Sequence, residues 1–244
     1  MRTIDWTCYA QVYDLMAANN PAYGSIVTTL REEMATWHLE PDGPVVDLAS
    51  GTGNFSVPLA RAFPDNPVRC VDSDAEMNRA VRRKAARMGL SNLETQQADV
   101  GSARFAPESV SAVVCVHALY TFRDPIDVIR KTYSWLRPGG YVFACDLGRE
   151  LDLRDWSGYL LREMVRRHGW LHSISAFCRG GAVVQQNRRI ARAQRRRKYW
   201  THTHAEFRSA FEAAGFDIVR SAICYRGYSD LVVARKPRRL ECAA

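Results

Sequence analysis

No stretch of the 244 residues approaches the ~18 consecutive apolar positions of a membrane-spanning helix. Met1 to Tyr13 mixes charged and apolar residues and lacks the apolar core of a secretory signal, so a cytoplasmic location is expected. Cysteine is present but never as Cys-x-x-Cys, and the seven residues (Cys8, Cys70, Cys115, Cys145, Cys178, Cys224, Cys242) are odd in number. That argues against a zinc site and against a disulfide framework, leaving buried, reduced thiols as the reading. No internal repeat is apparent, which excludes a solenoid. Acidic residues are scarce in one place. Between 149 and 204 there are 4 against 13 Arg or Lys, a net +9 in a chain of net +8, so the rest is close to neutral.

What is present is alternation. Residues 22–37 carry Ile26, Val27, Leu30 and Met34 at helical spacing before Pro41, Gly43 and Pro44 break the pattern. Val45 to Ala49 is a short apolar strand, and a helix from Phe55 to Phe63 follows. Val68 to Asp72 is a second strand, residues 75–88 a helix stopped by Gly89, and Leu93 to Ala98 a third strand. Val110 to His117 is a fourth. Asp124-Pro125 opens a helix ending at Arg137-Pro138-Gly139-Gly140, and Tyr141 to Asp146 is a fifth strand. Thr203-His204-Ala205-Glu206 is a capping box opening a helix that ends near Gly215. Phe216 to Tyr225 and Ser229 to Arg235 read as a closing antiparallel hairpin. The expected fold is α/β: a seven-stranded, mostly parallel sheet with helices on both faces and an antiparallel C-terminal hairpin. Residues 149–202, helical with a break at Gly180-Gly181, fall outside the alternation and read as a cap inserted after the fifth strand, over the carboxyl ends of the strands.

Asp47-Leu48-Ala49-Ser50-Gly51-Thr52-Gly53 joins a strand to a helix through a turn of small residues, where a ligand can approach the main chain and unpaired helix N–H groups. Alone it would suit any nucleotide. Asp72 at the end of the second strand can accept ribose hydroxyls, although a strand-end or helix-cap residue reads the same. Asp99, in Gln97-Ala98-Asp99-Val100, stands where an exocyclic amine would bind, although a turn residue reads the same. Together with Leu136-Arg137-Pro138-Gly139-Gly140, the set resembles the class I, Rossmann-like S-adenosylmethionine (SAM)-dependent methyltransferases of the small-molecule type. Their first motif is acidic-x-Gly-x-Gly-x-Gly, and Ala49 replaces its first glycine. The resemblance covers residues 40–146 and, more weakly, the hairpin. It implies that Asp47 orients the methionine part of the cofactor and that Ala49, Gly51 and Gly53 offer backbone contacts. It further implies that Asp72 binds the ribose and that Asp99 and Val100 contact adenine. Tyr13-Asp14 resembles a pair in the segment that folds over the cofactor, so Tyr13 joins the cofactor set. The competing reading has Tyr9, Tyr13 and Tyr23 merely packing on the sheet.

On the acceptor side, His117 and Tyr120 follow the fourth strand and are candidate catalytic residues with His202. A buried, hydrogen-bonded His117 is the alternative. Arg188 and Arg192, one helical turn apart, together with Tyr199 and Trp200, are the candidate substrate-binding residues of the cap, which also holds His168 and His172. The resulting organisation is 1–148, lid helices and SAM-binding core; 149–202, cap over the acceptor site; 203–236, helix and hairpin completing the core. The expected activity is methyl transfer from SAM to an O or N atom of a small metabolite carrying an acidic or polar group, yielding S-adenosylhomocysteine (SAH), with no metal. Three other functions stand behind it: a lipid or quinone-type methyltransferase, an RNA methyltransferase, and a non-catalytic SAM-binding protein. The weak apolar side of residues 182–198 argues against stable membrane association. The missing Asn/Asp-Pro-Pro-Tyr and Pro-Cys motifs argue against nucleic acid. Nothing in the sequence fixes an oligomeric state.

Overall fold

The computed structural model describes residues 13–14, 17–179 and 181–238, with the side chains of 171–183 excepted. Tyr9, Cys8, Cys242 and Gly180, and the side chains of His172 and Cys178, lie outside the described residues.

Helix α1 (Pro21–Met34) begins at Asn20, whose side chain accepts from the N–H groups of Ala22 and Tyr23, with Pro21 in the first turn where its missing N–H costs nothing. Then β1 (Val45–Leu48), α2 (Ser56–Ala62), β2 (Val68–Asp72), α3 (Ala75–Met88), β3 (Leu93–Gln97), β4 (Val110–Val116), α4 (Pro125–Trp135) and β5 (Leu136–Leu147) alternate. Asp74 and Asp124 cap α3 and α4 through their carboxylates. The chain closes with cap helices α5 (Leu153–Arg179) and α6 (Gly181–Arg195), then α7 (His204–Ala213), β6 (Asp217–Cys224) and β7 (Ser229–Arg235). The capping box at α7 forms as read: Thr203 and Glu206 exchange side-chain-to-backbone bonds.

The seven strands form one sheet in the order β3-β2-β1-β4-β5-β7-β6, parallel from β3 to β5 and antiparallel at β7 and β6. Every residue of β1 and β4 is buried, as strands covered on both faces require. One face packs Ile26, Leu30, Leu59 and Val81 from α1–α3; the other packs Ile129, Phe207 and Phe211 from α4 and α7.

Two elements depart from the sequence reading. Helix α4 stops at Trp135 and β5 begins at once, with Leu136 opposite Val110. The ladder then shifts register before Ala112 meets Tyr141, so the Pro138-Gly139-Gly140 stretch bulges out, as expected of a proline that cannot donate to a ladder. Helix α5 is not continuous either: Gly169, at φ 76°, divides it. A third, smaller apolar cluster joins the cap to the strand ends through Tyr120, Leu147, Leu151, Trp156 and Ile190. The side chain of Gln194 ties α6 to the start of the cap, donating to the Arg149 carbonyl and accepting from the Leu151 N–H. No helix among the described residues is long and apolar enough to cross a membrane.

Candidate functional site

A cavity of about 700 Å³ lies at the carboxyl ends of β1, β2 and β4, under the cap. This is the crevice that open α/β sheets leave where strand order reverses, here between β1 and β4.

One end is built from the turn after β1. Gly51 stands at φ 54° and Gly53 at φ 81°, a region that glycine enters without steric cost. A Cβ on Gly53 would come within 3.1 Å of Val81, so that glycine lets α3 pack onto the turn, whereas Gly51 opens to the cavity with only Met77 within 4 Å. Asp72 closes the floor: its carboxylate accepts from the Gly51 N–H at 2.8 Å and the Asp74 N–H at 2.9 Å. Burial raises its pKa despite those two bonds. Asp99 and Val100 line the cavity beside it, the Ala98 N–H donating to the Asp72 carbonyl at 3.1 Å and Asp99 turning the chain by accepting from the Gly101 N–H.

Asp47 and Gly53 are not in the cavity wall. Asp47 is buried behind the turn and accepts from the Ser56 hydroxyl. Burial drives its pKa up to about 7, the Ser56 bond opposing and the Asp72 charge assisting. The N-terminal segment does reach the site: Asp14 accepts from Thr52 Oγ1 and Lys84 Nζ, and Tyr13, on the cavity wall, bonds its hydroxyl to that of Tyr23 at 3.2 Å.

The other end begins where β4 stops. His117 takes φ 53°, and its N–H donates to the Cys145 carbonyl at 2.7 Å. Its Nε2 lies 2.9 Å from Ser229 Oγ, and its ring stands edge-on to Tyr225. Burial pushes its pKa down to about 3, so the imidazole is neutral at any ordinary pH. Ala49, His117 and Tyr225 are all non-glycine residues at positive φ, and all three line the cavity, a concentration of backbone strain at one site. Tyr120 and Tyr199 line it as an edge-to-face pair 5.2 Å apart.

The remaining candidates stand elsewhere. Arg188 and Arg192 are exposed and line no part of the cavity; the inward residues of α6 are Asn187 and Ile190. Trp200 packs on Phe207 in the sheet core. The His202 side chain is 0% exposed, held between Asp230 (3.2 Å) and Asp146 (3.6 Å). Burial opposes its charge, but the two carboxylates outweigh it and push its pKa up to about 9. Asp230 also takes both Arg149 amines at 2.8 Å and His204 at 3.1 Å. His202 is thus part of a buried ionic cluster, not of the cavity wall.

Sequence reasoning missed Trp156 and Leu160, which line the cavity from α5, and Tyr225 from the β6–β7 turn. Leu153, Trp156 and Leu160 follow helical spacing, so an apolar stripe was there to be read. Nothing local marks Tyr225.

The geometry suits SAM. The open approach at Gly51 and the carboxylates of Asp72 and Asp99, all lining one cavity, fit the ribose and adenine parts of such a ligand.

Residues 45–140 match the model of a family described as "Methyltransferase domain". The trans-aconitate 2-methyltransferase of Sinorhizobium medicae is 34% identical over 113 residues, covering 46% of this chain and 41% of that protein. The chain spans less than half the length of the first curated relatives it matches. Among solved structures, a chain in the complex between the Haloferax volcanii Trm112 methyltransferase activator and the putative methyltransferase has a TM-score of 0.65 at 19% identity, covering 98% of this chain and 100% of that one. A putative S-adenosyl-L-methionine-dependent methyltransferase from Methanococcus maripaludis has a TM-score of 0.61 at 18% identity, covering 99% and 97%. In sheet topology, in its glycine turn and in the match over residues 45–140, the chain is similar to the class I, Rossmann-like SAM-dependent methyltransferases.

Proposed function

We propose that the protein transfers a methyl group from SAM to an O or N atom of a small molecule held under the cap. One observation carries the reading: a single cavity joins Gly51, Asp72 and Asp99 at one end to His117 and Tyr120 at the other. When bound, SAM supplies a methyl already activated by its sulfonium. Transfer to an acceptor held at Tyr120 and Tyr199 would break the S–CH₃ bond as the acceptor bond forms, leave its electron pair on sulfur as SAH, and release the acceptor's proton to water. The chain's task is then chiefly alignment, which can contribute ~7–11 kcal/mol, against ~3–5 kcal/mol for a general base. His117 suits alignment. Its pKa of about 3 makes it a poor proton acceptor, while its bond to Ser229 and its contact with Tyr225 hold the ring in one orientation. Asp47, Ala49, Gly51, Gly53, Asp72, Asp99, Val100 and Tyr13 form or support the cofactor end in this reading; Tyr120 and Tyr199 face the acceptor.

Calorimetric titration with SAM, SAH, NAD and ATP tests it. Micromolar binding of both sulfur ligands, and weaker binding of NAD and ATP, is expected. A preference for NAD would overturn the reading. A lipid or quinone-type acceptor is the second reading, favoured by the apolar cap lining of Leu151, Leu153 and Ile190. The basic face of α6 does not reach the cavity, which leaves an RNA acceptor without support from the site.

A further inference from the structure

Resting on the methyl-transfer reading, we propose that the acceptor is an uncharged, flat aromatic molecule with a hydroxyl or carbonyl oxygen, and that this oxygen accepts a hydrogen bond from the indole N–H of Trp156. Two independent observations carry this.

The first is the charge of the acceptor end. Its walls are the side chains of Leu151, Trp156, Ile190, Tyr120 and Tyr225 with neutral His117, and no Lys, Arg, Asp or Glu from the cap lines it among the described residues. The nearby guanidinium groups are already spent. Arg149 is bidentate to Asp230, and Arg226 is bidentate to Asp155 while lying across the outer aromatic layer, 4.2 Å from the Tyr159 ring centre. The cations that line the same cavity, Arg123 and Lys131, come from the segment after β4, and Lys131 bonds the Gly101 carbonyl beside Asp99. A carboxylate or phosphate among the cap residues would lose its water and meet no counter-charge from the cap, and an ion buried without a partner is strongly disfavoured. The tilted and edge-on rings of Trp156, Tyr225, Tyr120 and Tyr199 offer instead apolar faces and edges on which an aromatic body packs.

The second is an orphan donor. Trp156 is 7% exposed and lines the cavity, yet its Nε1 is buried with no hydrogen-bond partner. An indole nitrogen only donates, and buried donors are nearly always paired. The ring cannot turn away to find a partner: Tyr225 lies 4.6 Å from it, Tyr228 5.5 Å and Tyr159 5.7 Å, with Arg226 at 5.0 Å. Asp155 holds both Arg226 and the Tyr228 hydroxyl, which locks this layer between α5 and the β6–β7 turn. A fixed, desolvated donor in an apolar wall discriminates strongly between ligands that do and do not offer an acceptor atom.

The test uses the SAH-saturated protein and two pairs of probes with matched rings: 2-naphthol and 2-naphthoate, 4-phenylphenol and 4-phenylbenzoate. Binding is read by calorimetry. At least one phenol is expected to bind at least tenfold more tightly than its carboxylate partner. Trp156→Phe keeps the ring and removes the donor. It should weaken that phenol by about five- to tenfold, the size of a single net hydrogen bond, while leaving SAH affinity unchanged. Carboxylates binding as tightly as phenols, or no binding of either phenol at millimolar concentration, would overturn the proposed acceptor class. Unchanged phenol affinity in the variant would overturn the role of Trp156. Because the phenol–carboxylate comparison uses the wild-type protein, it stands even where the variant folds poorly. Loss of SAH binding by the wild-type protein would instead sink the methyl-transfer reading, separately from this one.

Discussion

Single residues at this site are tuned by burial more than by neighbouring charge. Asp47 and His117 illustrate opposite consequences. Burial raises the carboxyl of Asp47 to about 7 and lowers the imidazole of His117 to about 3, so each is pushed toward its neutral form. For His117 the result is a constant protonation state. For Asp47 it is a group poised at neutral pH behind the turn proposed to carry a cationic ligand. A ligand bearing an α-ammonium favours the ionised carboxylate, so SAH affinity is expected to rise as pH rises through about 7. The gain should be up to about tenfold between about pH 6 and about pH 8, with a proton released on binding at the lower pH. Calorimetry in two buffers of different ionisation enthalpy measures both effects. Asp47→Asn should flatten the profile; a profile that stays as steep in the variant would remove Asp47 from the linkage.

At the scale of elements, the cap shows how a helix chooses its inward face. In α6 the sequence offers Arg188 and Arg192 on one side and Asn187, Ile190, Ala191 and Gln194 on the other, and it is the second set that is buried or turned to the cavity. Ile190 joins the cap cluster, and Gln194 bonds to the backbone at Arg149 and Leu151. Burying a guanidinium with no partner would cost several kcal/mol, whereas leaving it in water costs nothing. The expectation that cap arginines point inward toward an acidic acceptor is therefore corrected by the packing. Arg188→Ala and Arg192→Ala should leave SAH affinity and the binding of an aromatic probe within about twofold of wild type. Ile190→Ala should weaken the probe several-fold, since it removes part of the apolar wall the probe would cover, at about 0.8 kcal/mol per methylene. Equal losses in all three variants would mean that the helix faces are misassigned.

For the molecule as a whole, the ionic cluster around Asp230 does what no single element does. It ties β5 through Asp146, β7 through Asp230, the start of the cap through Arg149 and the approach to α7 through His202 and His204. The folded-state pKa of His202 stands at about 9, above the 6.5 of an unperturbed histidine. Its contribution is thus fully present below about 6.5 and is lost as pH rises through about 9, a window worth on the order of 3 kcal/mol at most. Thermal or urea unfolding between about pH 6 and about pH 9.5 should show falling stability, and His202→Gln should reduce that slope while lowering stability at the acidic end. An identical slope in the variant would place the pH dependence elsewhere. His202 is therefore expected to affect turnover only through stability, in contrast to its initial reading as a catalytic group.

The cofactor end was legible because its chemistry is contiguous. A short apolar strand, a turn that needs Ala49, Gly51 and Gly53, and a helix start within a few residues, and Asp72 and Asp99 each follow directly on a strand whose position the alternation fixes. The caps at Asn20, Asp74, Asp124 and Thr203 were local for the same reason: a side chain meets a backbone N–H two or three residues away. The acceptor end was not legible. There His117, Trp156 and Tyr225 meet from the end of β4, the cap and the final hairpin, and Tyr225, at positive φ, carries no mark of that contact in the sequence. Spacing states that a helix has two faces and lists what is on each. Which face turns inward, and whether a histidine meets open cavity or two carboxylates, is decided when the sheet and cap pack and desolvation sorts the charged groups from the apolar ones.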